Sequence, residues 1–574
     1  MSSEKPSWAS APEASEPKEA TPTPSIASTK SWQNAFEKAH VHRGLRSRHL
    51  QMISLAGMIG TGLFLSSGAA LADSGPVGAL IGYTFMAFIT GAVAVSSGEM
   101  AAFMPVAGGF VRHTAVFVDR SLAVTVGWNF WYDIALTQAV EIVAASGLAA
   151  YWAPNVNAAV WISLFWALIV IVNLTPVRVY GETEFFFACL KICLIIGLLL
   201  VGFLIDVGAV PGQERLGFRY WAHPGPFVNL TYAGGSIPGA TGKFLATWAT
   251  LVNAAFAYKD IQIVGMSGSE SRNPRRAIPK ATRRTFIRLG CFYVLTIFIM
   301  SLIVPANSPE LGKSDGTAAT APFVIAIKLA GIKTLPGIVN AVVMTSAFSS
   351  GCSCVFFASR TLLGLANDGM AHRVFLTTNR FGTPYVAVLV SSLFGSAAYL
   401  SVQYNSMQAL IWLLNLSTVA GLISFVIICL TSIRMQAGMK AQGYSREELP
   451  YASWGQPYTA WFGMFWSGMV VFFSGFQVFL KGNWRSSTFL SSYLSLFIFI
   501  GVYFAVKVYH KTLTKWWTPA AEIDLAYLFD LLRAERAEEA HENSSLTGST
   551  EVESKPPMIE TLKGFARKTA KAVF

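Results

Sequence analysis

The sequence predicts an all-α polytopic membrane protein, and three observations carry that reading. Of its 574 residues, 53% are hydrophobic and only 13% are charged, whereas a soluble chain carries about 25% charged residues. Twelve apolar segments are each long enough to span a bilayer, which takes about 20 residues. Lysine and arginine gather in alternate loops between those segments, so topology explains the net charge of +12 and nucleic-acid binding does not.

The segments run approximately 49–72, 77–103, 122–152, 156–175, 183–206, 243–269, 286–306, 335–366, 384–404, 408–434, 457–480 and 487–509. They form a transmembrane domain, 49–512, between two tails. Residues 1–48 are polar, rich in Ser, Pro, Ala and Lys, and read as a disordered cytoplasmic tail with no cleavable signal peptide. Residues 513–574 read as a solvated cytoplasmic tail with an acidic helical stretch around Ala520–His541 and basic residues Lys563, Arg567, Lys568 and Lys571 near its end.

Orientation follows from the loops. Arg43, Arg46 and Arg48 precede the first segment, Arg112 and Arg120 follow the second, and Arg178 follows the fourth. Arg272, Arg275, Arg276, Lys280, Arg283, Arg284 and Arg288 follow the sixth, and Arg373 and Arg380 the eighth. A cytoplasmic N-terminus puts all of these on one side, and an even number of spans puts both termini there. The longest outside loop, 207–242, is rich in Gly and Pro and contains the glycosylation tripeptide Asn229-Leu230-Thr231. The six cysteines all lie in apolar stretches, a pattern of neither disulfides nor zinc.

The first segment contains Ala56-Gly57-Met58-Ile59-Gly60-Thr61-Gly62-Leu63-Phe64. Each glycine inside a helix costs about 1 kcal/mol relative to alanine, and opened backbone survives in a membrane only where it is buried in protein or lines a cavity. The cluster therefore predicts a break. Free N–H groups beginning near Thr61 would suit a carboxylate, and carbonyls ending near Met58 and Ile59 would suit an ammonium group. The competing reading is close helix packing through small residues, but Gly60 and Gly62 are two apart rather than four.

In the third segment, Asp133 and Glu141 are eight apart and share a helix face; each would face the pathway or pair with another charge. Glu99, near the inner end of the second segment, reads as structural. Lys191 is the only charge between Phe185 and Ile205. A buried lysine exchanges its proton readily, but a lysine about two turns from the segment end also snorkels, and spacing does not choose between these. The sixth segment contains Phe256-Ala257-Tyr258-Lys259-Asp260-Ile261-Gln262. Lys259 and Asp260 would offset each other as an ion pair, or Asp260 would face a cavity; an intramembrane charge costs about 2.5–3.5 kcal/mol.

Four passages give the chain a family resemblance: Arg48-His49-Leu50-Gln51-Met52-Ile53 running into the glycine cluster; Gly98-Glu99-Met100-Ala101; Gly127-Trp128-Asn129 with Glu141 downstream; and Glu270-Ser271-Arg272-Asn273-Pro274-Arg275-Arg276-Ala277-Ile278-Pro279-Lys280. Over about residues 45–515 the chain resembles the fungal and bacterial amino acid permeases of the amino acid–polyamine–organocation superfamily. The resemblance implies a LeuT-type 5+5 inverted repeat with twelve transmembrane helices, broken helices 1 and 6, and helices 11 and 12 as additions. It implies a plasma-membrane amino acid importer working by alternating access, commonly with protons. In that scheme the Thr61 and Gly62 amides hold the substrate carboxylate, carbonyls near Ile59, Phe256 and Ala257 the ammonium, Tyr258 and Asp260 border the side chain, and Gly60 belongs to the same substrate site. Lys191 resembles the family's fifth-helix lysine, linked to proton coupling, with Glu141 a second proton candidate. The expected partners are an amino acid, protons, the lipid bilayer and cytoplasmic trafficking factors on the tails, with no cofactor, metal or nucleic acid.

The chain also departs from the pattern. Relatives usually read Phe-x-Gly-x-Glu in the sixth span, where this chain has Tyr258, Asp260 and Gln262. In the eighth span, the usual Asn-Ser-x-x-Tyr reads Cys352-Ser353-Cys354-Val355-Phe356. These changes leave two alternatives open beside the importer: a polyamine or organic-cation carrier on the same fold, and a non-transporting amino acid receptor. No nucleophile–base set or metal cluster lies in the spans, so an enzyme is not expected.

Overall fold

Glycine and proline decide where the first described helix bends. Gly75 has φ +78°, and a Cβ there would sit 3.0 Å from the Phe227 Cα and the Pro226 carbonyl oxygen, so the turn needs glycine. Pro76 follows in the first turn of the next arm, where its missing N–H costs nothing. The helical run Ser67–Phe103 (α1) is therefore two arms, and the expected segments 49–72 and 77–103 meet at Gly75. The computed structural model describes residues 60–106, 108–268, 274–311, 322–404 and 406–548. The expected N-terminal tail, Met58, Ile59, the stretch 270–273 and the basic residues after 548 lie outside the described residues.

After α1 come α2 (Phe110–Phe117), α3 (Arg120–Ala149), α4 (Ala158–Leu174) and α5 (Val177–Asp206). Asp119 caps α3 by accepting from the Ser121 and Leu122 amides at 3.0 and 3.3 Å, and Asn157 caps α4 through the Ala159 amide at 2.9 Å. The outer loop folds into a one-turn helix, Arg219–Ala222, and a hairpin of β1 (Thr231–Tyr232) and antiparallel β2 (Gly235–Ser236). Asn229 sits half-buried beside this hairpin, with its carboxamide oxygen shielded.

The expected sixth segment is interrupted. Helix α6 (Gly239–Tyr258) stops, Lys259–Gln262 runs non-helical, and α7 (Ile263–Gly268) resumes. Asp260 lies at φ +70°, a left-handed conformation that L-residues other than Asn and Asp rarely adopt. Then follow α8 (Pro274–Ile303), α9 (Pro322–Leu329), α10 (Leu335–Asn367) and α11 (Tyr385–Ser392). Helix α11 tightens into a 3₁₀ stretch, Leu393–Tyr399. Last come α12 (Ser406–Gln442), α13 (Tyr458–Phe472), α14 (Ser486–Tyr509) and α15 (Ala526–Gly548). Among the described residues six helical runs are long and apolar enough to cross a membrane by length and composition.

Helix α3 is the axis of one packed group, with its broadest contacts to α10 and then α12; α1 packs most widely on α6 and α8. The Gly127-Trp128-Asn129 motif staples the first group. The Asn129 carboxamide donates to the Ala420 carbonyl at 2.8 Å and to Ser424 Oγ at 3.2 Å, and the Trp128 indole donates to the Met370 carbonyl at 3.1 Å. Glu99 is structural: fully buried, it pairs with Arg446 at 3.0 Å and accepts from the Ser453 amide at 2.8 Å, fixing the loop between α12 and α13.

The C-terminal reading needs correction. The stretch from Thr518 is not a solvated tail but docks on the helical body. The Thr518 amide donates to the Val118 carbonyl at 2.8 Å, and Ile523, Leu525, Leu528, Phe529 and Leu532 are buried. Phe529 stacks on Tyr444 with ring centroids 4.1 Å apart. Arg275 joins three elements, donating to the Phe103 carbonyl at 2.5 Å and pairing with Glu535 at 2.6 Å. Apolar residues every three or four positions, from Leu525 through Leu528 and Phe529 to Leu532, give this acidic helix an inward stripe. The acidic composition hid that stripe from the sequence reading.

Candidate functional site

Two openings of the backbone meet. Residues Gly62–Ser66 form a π-helical turn that leads into α1, with Gly60 and Thr61 non-helical before it. A Cβ on Gly62 would lie 3.0 Å from both the Ala257 Cα and the Phe256 ring, so Gly62 lets the first segment touch the last turn of α6. A Cβ on Gly60 would strike Glu141 Oε1 and lie 2.9 Å from Ser350 Oγ. The structure thus gathers Gly60, Thr61, Gly62, Phe256, Ala257 and Glu141 into one place.

The Thr61 amide is already engaged. It donates to Glu141 Oε1 at 3.3 Å, and the same oxygen accepts from Ser350 Oγ at 3.1 Å. The other oxygen, Oε2, is buried and has no hydrogen-bond partner among the described residues. Thr61 and Glu141 are each 2% exposed, so this contact is shut off from water. An amide at a helix start holding a carboxylate is the arrangement expected for an anionic ligand group; here the chain supplies the carboxylate.

Lys191 faces inward rather than snorkelling: it is 1% exposed. It lies within electrostatic reach of both Glu141 and Glu184. Glu184 is equally buried and accepts from Ser349 Oγ at 2.9 Å and Ser353 Oγ at 3.0 Å. Ser353 also accepts from the Tyr180 hydroxyl at 3.2 Å, and the Tyr180 ring stacks on Phe356 at 4.0 Å with the Arg360 guanidinium 3.4 Å from the Phe356 ring centre. Sequence reasoning missed Glu184 because it falls at the soft edge of an apolar segment. The signal was its spacing: seven residues, two helical turns, separate it from Lys191 on the same face of α5. The serine-rich patch Ser346, Ser349, Ser350 and Ser353 on α10 was a second missed signal.

Lys259 does not pair with its neighbour Asp260. Its ammonium donates to Asp133 Oδ1 at 2.6 Å and Thr137 Oγ1 at 2.5 Å, both on α3, and lies 5.2 Å from the Phe256 ring centre. Extended backbone at Lys259 and the left-handed turn at Asp260 send the two side chains to different partners. Asp260 is 8% exposed and its Oδ1 has no hydrogen-bond partner among the described residues; neither do the two polar atoms of Gln262, 1% exposed. Asp133, Asp260 and Lys259 interact electrostatically, two carboxylates to one ammonium. Tyr258 turns toward an aromatic cluster, its ring 4.8 Å from Tyr293 and 6.3 Å from Tyr83. Ile59, the remaining expected site residue, lies outside the described residues.

Comparison with known proteins adds kinship to this geometry. Residues 49–519 match the model of the amino acid permease family. The chain is 37% identical over 501 residues to the proline-specific permease of Saccharomyces cerevisiae, covering 85% of this chain and 79% of that one. It is 38% identical over 489 residues to the lysine-specific permease of the same yeast, with the same coverage. Among solved structures, a variant of the manganese transporter of Eremococcus coleocola is similar in fold, with a TM-score of 0.52 over 83% of this chain and 94% of that one at 12% identity.

Proposed function

The chain belongs to the amino acid permease family, whose members are membrane transporters and not enzymes, and from that premise we propose that it is a proton-coupled amino acid importer of the plasma membrane. It works by alternating access on a 5+5 inverted repeat of twelve spans, with helices 1 and 6 broken and both termini cytoplasmic. The transmembrane domain is 49–512, the residues on either side serve as its cytoplasmic tails, and trafficking factors act on those tails.

One observation carries the reading: the Thr61 amide holds Glu141 where the two backbone openings meet. In the proposed cycle the substrate carboxylate takes the place of Glu141 on the Gly60, Thr61 and Gly62 backbone. A proton on Glu141 removes the competing charge and releases the amide. Carbonyls near Ile59, Phe256 and Ala257 take the substrate ammonium, and Lys191, within electrostatic reach of Glu141 and Glu184, senses the change and links it to the packing of α5. Tyr258 and Asp260 border the substrate side chain.

Relatives of nearly equal identity are named for proline and for lysine, so overall identity does not select the substrate. The altered sixth span favours a second reading. With two carboxylates facing one ammonium and Asp260 Oδ1 unpartnered, a cationic amino acid or an organic cation supplies the balancing charge. Uptake of radiolabelled amino acids and polyamines by a cell lacking its own permeases tests both. Accumulation of any amino acid, abolished by a protonophore, supports the importer. If the protein reaches the surface and only polyamines compete, the organic-cation reading replaces it; if nothing accumulates, neither stands.

A further inference from the structure

An apolar groove lies on the outer surface of α1 and α8, away from the substrate region. Its wider part, a cavity of about 890 Å³, is floored by Gly91 and Val95 of α1 and walled by Phe286 of α8 and Phe462 of α13. A second cavity of about 590 Å³ shares Phe88 and Phe286 with it and continues along α8 to Phe298. Phe88 is 65% exposed, and in a membrane protein such a surface faces lipid.

The two ends of the groove differ in chemistry. The far end, around Leu80, Val294 and Phe298, is almost entirely apolar, with Thr84 and Cys291 its polar-bearing lining residues. The near end holds Arg283, Tyr451, Trp454 and Tyr458. Trp454 and Tyr458 are strongly exposed, as residues of an interfacial aromatic belt are. Arg283 is exposed too and makes no salt bridge among the described residues. Two hydroxyls lining this end, Thr282 Oγ1 and Thr459 Oγ1, are buried with no hydrogen-bond partner among the described residues, and the Thr282 side chain belongs to a residue only 5% exposed. Buried hydroxyls are normally satisfied. Both residues line the groove while their oxygens are shielded from it, so a ligand bringing oxygen acceptors reaches them after a change of χ1, for which a helical threonine has two open rotamers.

We propose that the groove binds one anionic phospholipid of the leaflet on the basic side of the protein. Its negatively charged headgroup, in which no choline cancels the phosphate charge, meets Arg283, its ester oxygens accept from Thr282 and Thr459, and an acyl chain follows α8 toward Phe298. The dimensions agree. Fifteen residues separate Arg283 from Phe298, about 22 Å at helical rise, which exceeds the roughly 15 Å depth of one leaflet, half of a 30 Å core. Arginine suits phosphate by its planar fork. The neighbouring Lys280 and Arg284 add attraction for an acidic headgroup, at about 1 kcal/mol per basic residue, or roughly fivefold each.

The test is native mass spectrometry of the full-length protein extracted from vesicles of equal parts phosphatidylcholine and phosphatidylserine. The wild type is expected to retain one phosphatidylserine in preference to phosphatidylcholine. Arg283→Gln, an exposed change that leaves the fold intact, should cut that preference about fivefold. Thr459→Val, close in shape to the native residue, should weaken retention while keeping the headgroup preference. Retention of the two lipids in the vesicle ratio by the wild type, or a preference untouched by Arg283→Gln, would mean an ordinary lipid annulus and overturn the proposal.

Discussion

The backbone amide of Thr61 donates to the carboxylate of Glu141, eighty residues away, at the spot where the opened first segment touches the end of α6. Glu141 shares the oxygen involved with Ser350, so α3, α10 and the start of α1 are tied through a single atom. Any anion that binds the Thr61 amide must first displace this carboxylate.

Glu141→Gln keeps an oxygen for Thr61 and Ser350 but never carries a charge. It should exchange substrate across the membrane while failing to accumulate it against a gradient. Ser350→Ala removes one donor and should shift apparent substrate affinity by the worth of one hydrogen bond to a charged group, about 1.5–3 kcal/mol. Exchange and accumulation assays in vesicles check both. Full accumulation by Glu141→Gln would remove this residue from the coupling scheme.

Asp133 and Lys259 form a fully buried ion pair at 2.6 Å. Removing one partner leaves an uncompensated charge, which costs about 3–5 kcal/mol, whereas replacing both with apolar residues of similar size is often neutral. Lys259→Met should therefore lower stability most, because it strands the Asp133 and Asp260 carboxylates, and the double variant Lys259→Met with Asp133→Leu should recover part of that loss, Asp260 remaining without its cation. Thermal unfolding in detergent reads the difference. Additive losses in the double variant would show that the pair is not coupled.

Asp260 holds a left-handed backbone conformation at φ +70°, which costs a residue with a Cβ roughly 1–2 kcal/mol. Asp260→Gly should raise stability by about 1 kcal/mol and, with the carboxylate gone, reduce preference for cationic over neutral substrates. Competition uptake measures the second effect. An unchanged preference would place the side-chain pocket elsewhere.

Helix α15 is held by Phe529 on Tyr444, by Arg275 with Glu535, and by Arg533 with Glu448 at 2.8 Å. Phe529→Ala should weaken docking by about 3–5 kcal/mol, the usual cost of emptying a buried phenylalanine site, and expose residues after Thr518 to protease. The hydrogen bond from Arg533 holds the Glu448 carboxyl below the usual glutamate range. Its contribution to docking is therefore complete at neutral pH and is lost as pH falls through that depressed value, while mild alkali leaves it unchanged. Protection that persists in Phe529→Ala at neutral pH would contradict this account of the docking.

The membrane class, the break at Gly60-Thr61-Gly62 and the charges of the sixth segment were legible because glycine clusters and intramembrane charges are local signals, whereas the meeting of the two segments was implied only by the family resemblance. Pairings were not. Lys259 and Asp260 are adjacent in sequence, yet a single φ of +70° separates them and leaves Lys259 to Asp133, 126 residues away. Glu184 stands one residue inside the edge of the fifth segment, 183–206, where a charge reads as the end of a span, although its two-turn spacing from Lys191 is a local signal. The C-terminal helix was misread because net acidity outweighed an apolar stripe whose partner, Tyr444, lies in another element. Side-chain pairings between distant segments depend on tertiary packing, which a single sequence does not encode locally.

The most direct test of the exchange between Glu141 and a substrate carboxylate is the proton count on binding. Calorimetric titration of the purified protein with its transported amino acid, repeated in buffers of different ionisation enthalpy, gives that count. The account predicts close to one proton taken up per substrate bound by the wild type and none by Glu141→Gln, with binding retained in both. Binding by the wild type without proton uptake, or the same uptake in Glu141→Gln, would contradict it.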